Sequence, residues 1–202
     1  MQAAPMKPSP VTRRVGVAAV VTIAGGLCAC SKDRTPGKVR DFFTRATILK
    51  SGNARGPGDE LPQVRAVAHT GQLVELADYE GRPLVLWFCR SIRARRCRHL
   101  MKIVRYRWAR FRRTDTALLG VFGDDGPWVR AAAHDAGLPF LALSDPTGKL
   151  AGVFALEAAD GGASRPAAVV VDREGKIAGI FSKVATPQNV ERVLDTVEKL
   201  DS

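Results

Sequence analysis

The feature that constrains the fold most is a continuous apolar run, Pro83–Phe88, followed closely by a helical repeat. An uninterrupted apolar run of strand length is typical of a strand that is covered on both faces. Between Cys97 and Arg113, large apolar side chains recur at three- and four-residue spacing: Leu100, Ile103, Val104, Trp108 and Phe111. A second buried strand is predicted over Ala117–Phe122. Strand, helix and strand in this order predict an α/β domain whose mostly parallel sheet is flanked by helices.

The remaining segments continue this alternation. We predict a first hairpin, a helix, a strand, a short helix and a second hairpin, in that order, at Val64–Val67 with Leu73–Leu76, Pro127–Ala136, Pro139–Leu143, Gly148–Phe154, and Ala167–Val171 with Lys176–Phe181. A closing amphipathic helix is predicted over Pro187–Leu200, with Thr186 as its N-cap. The second hairpin adds an antiparallel edge, so the predicted sheet is mixed.

Residues 1–30 have the pattern of a signal peptide. An apolar run of about 13 residues, too short for a membrane-spanning helix of roughly 20, follows the basic residues Lys7, Arg13 and Arg14. The run ends in Leu27-Cys28-Ala29-Cys30, which resembles the bacterial lipobox, where a leucine lies three positions before an acylated cysteine. We expect an exported protein, anchored by lipid on Cys30 to the periplasmic or extracytoplasmic face of a bacterial membrane. An uncleaved anchor and simple cleavage near Ala29 are the alternatives.

The segment 31–57 is polar, basic and rich in glycine and proline, which predicts a flexible linker. Within this linker, Asp41–Leu49 is predicted as a short helix. The folded domain is then expected to cover residues 58–202.

Several segments of the domain resemble the AhpC/TSA peroxiredoxins, a family with the thioredoxin-like fold. In chain order they are Gly58–Pro62, Thr70–Pro83, Gly137–Phe140 with Leu143–Lys149, and Arg165–Ile177. They follow one another in the family's order and spacing, up to the C-terminal part of the chain. The resemblance implies a central mixed sheet flanked by helices and an antioxidant activity based on a redox-active cysteine.

The resemblance also implies that Cys97 is the reactive thiol, because the family's cysteine lies at this distance from the aromatic strand end at Phe88 and opens the next helix. A helix N-terminus directs partial positive charge at such a sulfur and favours the thiolate. Nearby arginines add positive charge: Arg90, Arg93, Arg95, Arg96 and Arg98. Arg165, one residue before the position of the family's arginine, is expected to stabilise the thiolate from a remote loop.

Three positions depart from the family pattern. Arg90 replaces a proline, Ala94 replaces the threonine whose hydroxyl holds the peroxide, and Pro166 stands at the arginine position. Cys89 is interpreted as a small buried residue, because a strand end leaves it little freedom to approach Cys97 as a resolving partner. A catalytically degenerate adaptor or binding module at the membrane surface is therefore the alternative to an enzyme.

The usual positions of a resolving cysteine hold Lys102 or fall in a tail without cysteine. The enzyme implied by the resemblance is thus a one-Cys thiol-dependent peroxidase, an oxidoreductase that reduces hydroperoxides and is recycled by an external thiol or a thioredoxin-like reductant. A thioredoxin-type disulfide reductase is disfavoured because Ala94 replaces the second cysteine of such a site. No zinc-ligand spacing occurs, so neither metal nor cofactor is expected. Homodimerisation is left open.

The chain carries a formal net charge of +11 and has a sequence pI of about 10.1. Much of this charge lies on the long helical segment, in Arg98, Lys102, Arg105, Arg107, Arg110, Arg112 and Arg113, and no acidic residue occurs between Arg82 and Thr114. Such a surface predicts contact with an anionic membrane, at about 1 kcal/mol per basic residue near the lipid. Nucleic-acid binding is not expected, because no recognition motif accompanies the charge.

Overall fold

The computed structural model of the chain describes residues 47–48, 54–156 and 165–201. Its strands are β1 (Thr47–Ile48), β2 (Val64–Val67), β3 (Leu73–Glu75), β4 (Leu84–Cys89), β5 (Ala117–Phe122), β6 (Leu141–Ser144), β7 (Ala167–Val171) and β8 (Ile177–Ser182). Its helices are α1 (Arg95–Arg113), α2 (Gly126–Asp135), α3 (Lys149–Val153) and α4 (Pro187–Leu200), with a 3₁₀ turn at Leu76–Tyr79.

A five-stranded sheet with the order β6-β5-β4-β7-β8 forms the centre of the domain. Strands β4, β5 and β6 are parallel, whereas β7 is antiparallel to both β4 and β8. The parallel pairs are joined through α1 and α2, as a crossover between parallel strands requires. The α/β architecture with a mixed central sheet, predicted from the sequence, is confirmed.

Strand β4 divides the core into two halves because alternate side chains of a strand point to opposite faces. Val85, Trp87 and Cys89 belong to the apolar cluster that includes α1, α2 and α4. Leu84, Leu86 and Phe88 belong to the cluster on the other face, with α3, β2 and β3. All six side chains of β4 are at most 1% exposed, as the continuous apolar run predicted.

Strands β1, β2 and β3 form a small antiparallel sheet, and the bridge between Ala68 and Leu143 connects it to β6. Thr47 and Ile48 pair with Arg65 and Val64. The helix predicted over Asp41–Leu49 is therefore wrong at these two residues, because their backbone pairs with an exposed edge of the hairpin. The other residues of that predicted helix lie outside the described ranges.

Most predicted elements occur within two residues of their expected bounds. The predicted closing helix and its cap are confirmed, since the hydroxyl of Thr186 accepts a hydrogen bond of 3.3 Å from the Asn189 backbone. The main difference is at α1, which begins at Arg95 rather than at Cys97.

The predicted signal peptide, with Cys28 and Cys30, lies outside the described residues, as does most of the predicted linker. Of the helices that are described, none combines the length and the apolar character needed to cross a membrane.

The first turn of α1 lacks a side-chain cap, which gives a first testable prediction. Ala94 is the exposed N-cap residue, with φ −59° and ψ 137°, and offers no acceptor for the free backbone N–H groups of that turn. We expect Ala94→Thr to raise the free energy of unfolding by about 1 kcal/mol, because an N-cap hydroxyl accepts one of these hydrogen bonds. Urea unfolding of the full chain measures the change. Ala94→Val, of the same shape without the hydroxyl, is the control, and an equal gain in both variants would contradict the capping explanation.

Candidate active site

The loop Arg90–Ala94, between β4 and α1, is held by short-range hydrogen bonds and by one carboxylate. The backbone N–H of Ile92 donates to Oδ2 of Asp124 at 2.6 Å, across from the end of β5. Within the loop, the Arg93 N–H donates to Oγ of Ser91 at 3.2 Å. Asp124 thus fixes the point at which the chain leaves the sheet and turns into α1.

The end of β5 approaches this loop so closely that only glycine fits there. The Gly123 N–H donates to the carbonyl oxygen of Cys89 at 3.0 Å. A β-carbon on Gly123 would lie 2.6 Å from the carbonyl oxygen of Arg90, well inside a normal contact distance. The backbone of Cys89 and Arg90 is therefore packed against the neighbouring strand.

Cys97 lies in the first turn of α1, with its side chain directed toward the sheet. It is 1% exposed and belongs to the same apolar cluster as Leu100 and Val104, one and two turns further along the helix. The earlier start of α1 leaves the Cys97 backbone N–H among the first-turn groups that have no intrahelical partner. Cys97 thus lies near the N-terminal end of the helix, where the sequence placed it, and its side chain is buried.

Cys89 lies directly beside Cys97, which the sequence reasoning did not foresee. Both are free and buried in the same apolar cluster, and the neighbouring Cys97 acts on the titration of Cys89. Burial raises the pKa of Cys89 well above its ordinary value, and the contact with Cys97 and the charge of Asp124 raise it further. The alternation of side chains along β4 and the helical repeat of α1 could have revealed this proximity. By these two patterns, Cys89 is the last inward residue of β4 and Cys97 is the first inward residue of α1.

Arg165, the predicted thiolate-stabilising residue, is exposed two residues before β7. Because Ala167 pairs with Phe88 in the antiparallel register, Arg165 lies at the end of the sheet from which the Arg90–Ala94 loop emerges. In the described part of the chain no hydrogen bond or ion pair joins Arg165 to Cys97. The structure thus places Arg165 at the same end of the sheet as the Arg90–Ala94 loop.

Two groups of basic residues on α1 differ in their surroundings. Arg107 and Arg110 form ion pairs with Glu191 of α4, and Arg110 also pairs with Glu198 at 2.9 Å. Burial alone would raise the pKa of Glu191, but the hydrogen bonds from these two arginines lower it. The exposed basic face, by which we mean Arg95, Arg96, Arg98, Lys102 and Arg105, is on the N-terminal part of the helix.

The exposed basic face borders a cleft of about 510 Å³ that is lined almost entirely by cationic and polar side chains. Beside the neighbouring loop, the guanidinium carbon of Arg93 lies 3.9 Å from the ring centre of Trp128, which is 52% exposed. This contact ties the loop to the start of α2.

The family comparison matches residues 57–180 of the chain to the AhpC/TSA family. A search of curated proteins finds no significant match. Similar solved structures include the peroxidoxin BcpB of Mycobacterium tuberculosis, with a TM-score of 0.66 at 19% identity, covering 73% of this chain and 99% of that one. Such identities establish a shared fold, and the predicted thioredoxin-like fold is thereby confirmed.

Two further similar structures carry descriptions that differ from each other. The bacterioferritin comigratory protein of Xanthomonas campestris, described for its alkyl peroxide reduction activity, has a TM-score of 0.62 at 17% identity, covering 68% of this chain and 92% of that one. A protein described as the thiol:disulfide interchange protein DsbE of Chlorobium tepidum has a TM-score of 0.62 at 18% identity, covering 72% and 98%.

The raised pKa of Cys89 predicts a specific alkaline loss of stability. An unfolded thiol ionises at about pH 8.5, whereas the folded Cys89 keeps its proton, so its contribution is complete below that pH and is lost as the pH rises through the folded value. We expect Cys89→Ala to reduce the alkaline slope of the free energy of unfolding by up to about 1.4 kcal/mol per pH unit. Urea unfolding of the full chain at a series of pH values, under reducing conditions, measures it.

Val85→Ala is the matched control for that measurement. Val85 is buried on the same face of β4 but does not titrate, so its truncation lowers stability at every pH and leaves the slope unchanged. Equal slopes in the parent and in Cys89→Ala would contradict the predicted shift.

Proposed function

Because this chain belongs to the AhpC/TSA family, we propose that it is a thiol-dependent peroxidase that reduces hydroperoxides through Cys97. The observation that carries the proposal is the position of Cys97, in the first turn of the helix that follows the central strand, with its sulfur at the positive helix end. The sequence predicts the one-Cys type. The attack of Cys97 on peroxide is the same whichever thiol later reduces the oxidised cysteine.

In the proposed reaction the Cys97 thiolate attacks one peroxide oxygen. A sulfur–oxygen bond forms, the oxygen–oxygen bond breaks, and the alkoxide or hydroxide leaves and takes up a proton. Cys97 becomes a sulfenic acid, and the peroxide becomes an alcohol or water. An external thiol or thioredoxin-like reductant then supplies the two electrons that restore the cysteine.

Burial sets a condition on this reaction. The Cys97 side chain is 1% exposed, so peroxide reaches the sulfur only when the Arg90–Ala94 loop or the first turn of α1 moves. From outside the loop, the carboxylate of Asp124 accepts a hydrogen bond from the Ile92 backbone and restrains this movement. Local openings of such segments cost less free energy than global unfolding.

The same burial favours the second candidate, a peroxiredoxin-fold adaptor without catalysis. Ala94 supports it as well, since an alanine at the N-cap cannot give the hydrogen bond by which the family's threonine holds the peroxide. The two candidates differ in one measurable property, the rate at which Cys97 reacts with peroxide.

That rate is tested on the full chain with Cys28→Ser and Cys30→Ser, which leaves Cys89 and Cys97 as its cysteines. We expect the reduced parent to consume one equivalent of hydrogen peroxide in a single turnover and Cys97→Ser to consume none. Arg165→Gln should slow consumption about two- to fivefold, since an exposed charge interaction contributes up to about 1 kcal/mol. Stopped-flow peroxide depletion measures all three. A parent no faster than free cysteine would leave the adaptor as the function.

We propose further that the protein is exported and anchored to the membrane by lipid on Cys30. The exposed basic face supports contact of the domain with anionic lipid, because these side chains are not neutralised by α4, unlike Arg107 and Arg110. Electrostatic attraction of this kind acts within about 10 Å at moderate ionic strength and is screened by salt.

Lysine footprinting tests this contact within one molecule. In full chain reconstituted with phosphatidylglycerol vesicles, we expect acetylation of Lys102, on the exposed basic face, to be several times slower than in phosphatidylcholine vesicles, and to recover at high salt. Lys176, exposed beside the hairpin turn before β8, is the internal control and should react equally in both lipids. Mass spectrometry gives both rates, and equal labelling of Lys102 in the two lipids would contradict membrane contact.

A further inference from the structure

The geometry around Cys89 and Cys97 places two sulfurs where the sequence predicts one. Alternation along β4 points Val85, Trp87 and Cys89 toward α1, and the helical repeat of α1 points Cys97 and Leu100 back toward β4. The loop between the cysteines is short and its carbonyl at Cys89 is bonded to Gly123, which fixes the strand end against β5. The two thiols therefore meet as a consequence of regular secondary structure.

We propose that Cys89 is the resolving cysteine of this site and forms an intramolecular disulfide with oxidised Cys97. The inference rests on the proposed peroxide reaction at Cys97 and replaces the one-Cys mechanism predicted from the sequence. That mechanism followed from the absence of cysteine at two usual positions and from the limited freedom of a strand end. Little movement is needed, because Cys89, the last inward residue of β4, and Cys97, the first inward residue of α1, are free thiols buried in the same apolar cluster.

The order of reaction between the two thiols follows from their surroundings. Cys89 is held in its protonated form by burial, by the neighbouring sulfur and by Asp124, whereas Cys97 lies at the positive end of α1. Since the thiolate is the nucleophile toward peroxide, Cys97 reacts first. Cys89 then has one adjacent electrophile, the Cys97 sulfenic acid.

The condensation balances without a further reactant. The Cys89 sulfur attacks the Cys97 sulfur, the sulfur–oxygen bond breaks and a sulfur–sulfur bond forms. The departing hydroxide combines with the proton of the Cys89 thiol and leaves as water. A dithiol reductant returns two electrons and two protons to regenerate both thiols, so the recycling step becomes thiol–disulfide exchange.

Peptide mapping of the full chain carrying Cys28→Ser and Cys30→Ser tests the proposal. The reduced protein is treated with one equivalent of hydrogen peroxide, blocked with N-ethylmaleimide and digested with trypsin without reduction. Trypsin separates the two cysteines, because it cleaves after Arg90 and again after Arg96 and Arg98. We expect the Cys97-Arg98 dipeptide to be disulfide-bonded to the peptide that ends at Arg90, with both cysteines protected from the maleimide.

Cys89→Ala is the key variant, and Cys89→Ser is the second if alanine disturbs the core. In either variant we expect the Cys97 sulfenic acid to persist and to be trapped by dimedone, whereas in the parent the dimedone adduct should be several times less abundant. An equal yield of dimedone adduct in parent and variant would overturn the role of Cys89 while leaving peroxide reduction at Cys97 intact.

A second oxidant separates this inference from the proposed function. Oxidised glutathione forms a mixed disulfide with Cys97 and releases one glutathione, after which Cys89 displaces the other. If Cys97 does not react with peroxide, the proposed peroxidase activity fails, and the glutathione reaction decides the pairing alone. The linked peptides then support a dithiol pair, and a stable mixed disulfide at Cys97 overturns it.

Discussion

The burial of β4 on both faces is the constraint on which the rest of the domain depends. The strand pairs with β5 on one side and β7 on the other, and its side chains supply both halves of the core. Complete burial of one large side chain such as Leu86 or Phe88 contributes about 1.5–3 kcal/mol. A strand held this firmly gives the loop that follows it a fixed starting point, and the candidate site is built on that loop.

The second organising interaction is between α1 and α4. Apolar side chains of both helices pack in the same cluster. At the partly buried edge of this interface, Glu191 pairs with Arg107 and Arg110, and Glu198 pairs with Arg110. These pairs are partly screened by solvent, so their contribution is geometric more than energetic. They orient the C-terminal half of α1, and they leave the exposed basic face near its N-terminus, beside the loop and Cys97, without a carboxylate from α4.

The sequence predicted most of the fold because its signals are local. The apolar run of β4, the three- and four-residue repeat of α1 and the capped start of α4 each define an element without reference to distant residues. The predicted start of α1 differs from the observed one because the N-cap residue, Ala94, has no capping side chain that would mark it in the sequence. The pairing of Thr47–Ile48 with β2 depends on a partner distant in sequence, and no local pattern announces it.

The candidate site was predicted only in part, for the same physical reason. Cys97 could be found from its distance to Phe88, but its burial and the position of Arg165 depend on tertiary packing. Asp124 reaches the loop from the end of β5, with nothing in its own neighbourhood to mark it. Cys89 was interpreted as a core residue, and it is one. Its core position is what brings it to Cys97. For this residue, a structural role in the core and a chemical role at the site do not exclude each other.

That coincidence changes how the burial of Cys97 is understood. A buried single thiol is difficult to reconcile with a reactive one, because its sulfenic acid would need to meet a bulky external thiol before it is oxidised further. The proposed dithiol pair avoids this difficulty, since the second thiol is buried in the same cluster and the sulfenic acid is consumed without an external partner. The proposed disulfide would close the short segment from Cys89 to Cys97, which carries the exposed Arg90 and Arg93. Enclosure of both sulfurs therefore favours an intramolecular disulfide over a long-lived sulfenic acid.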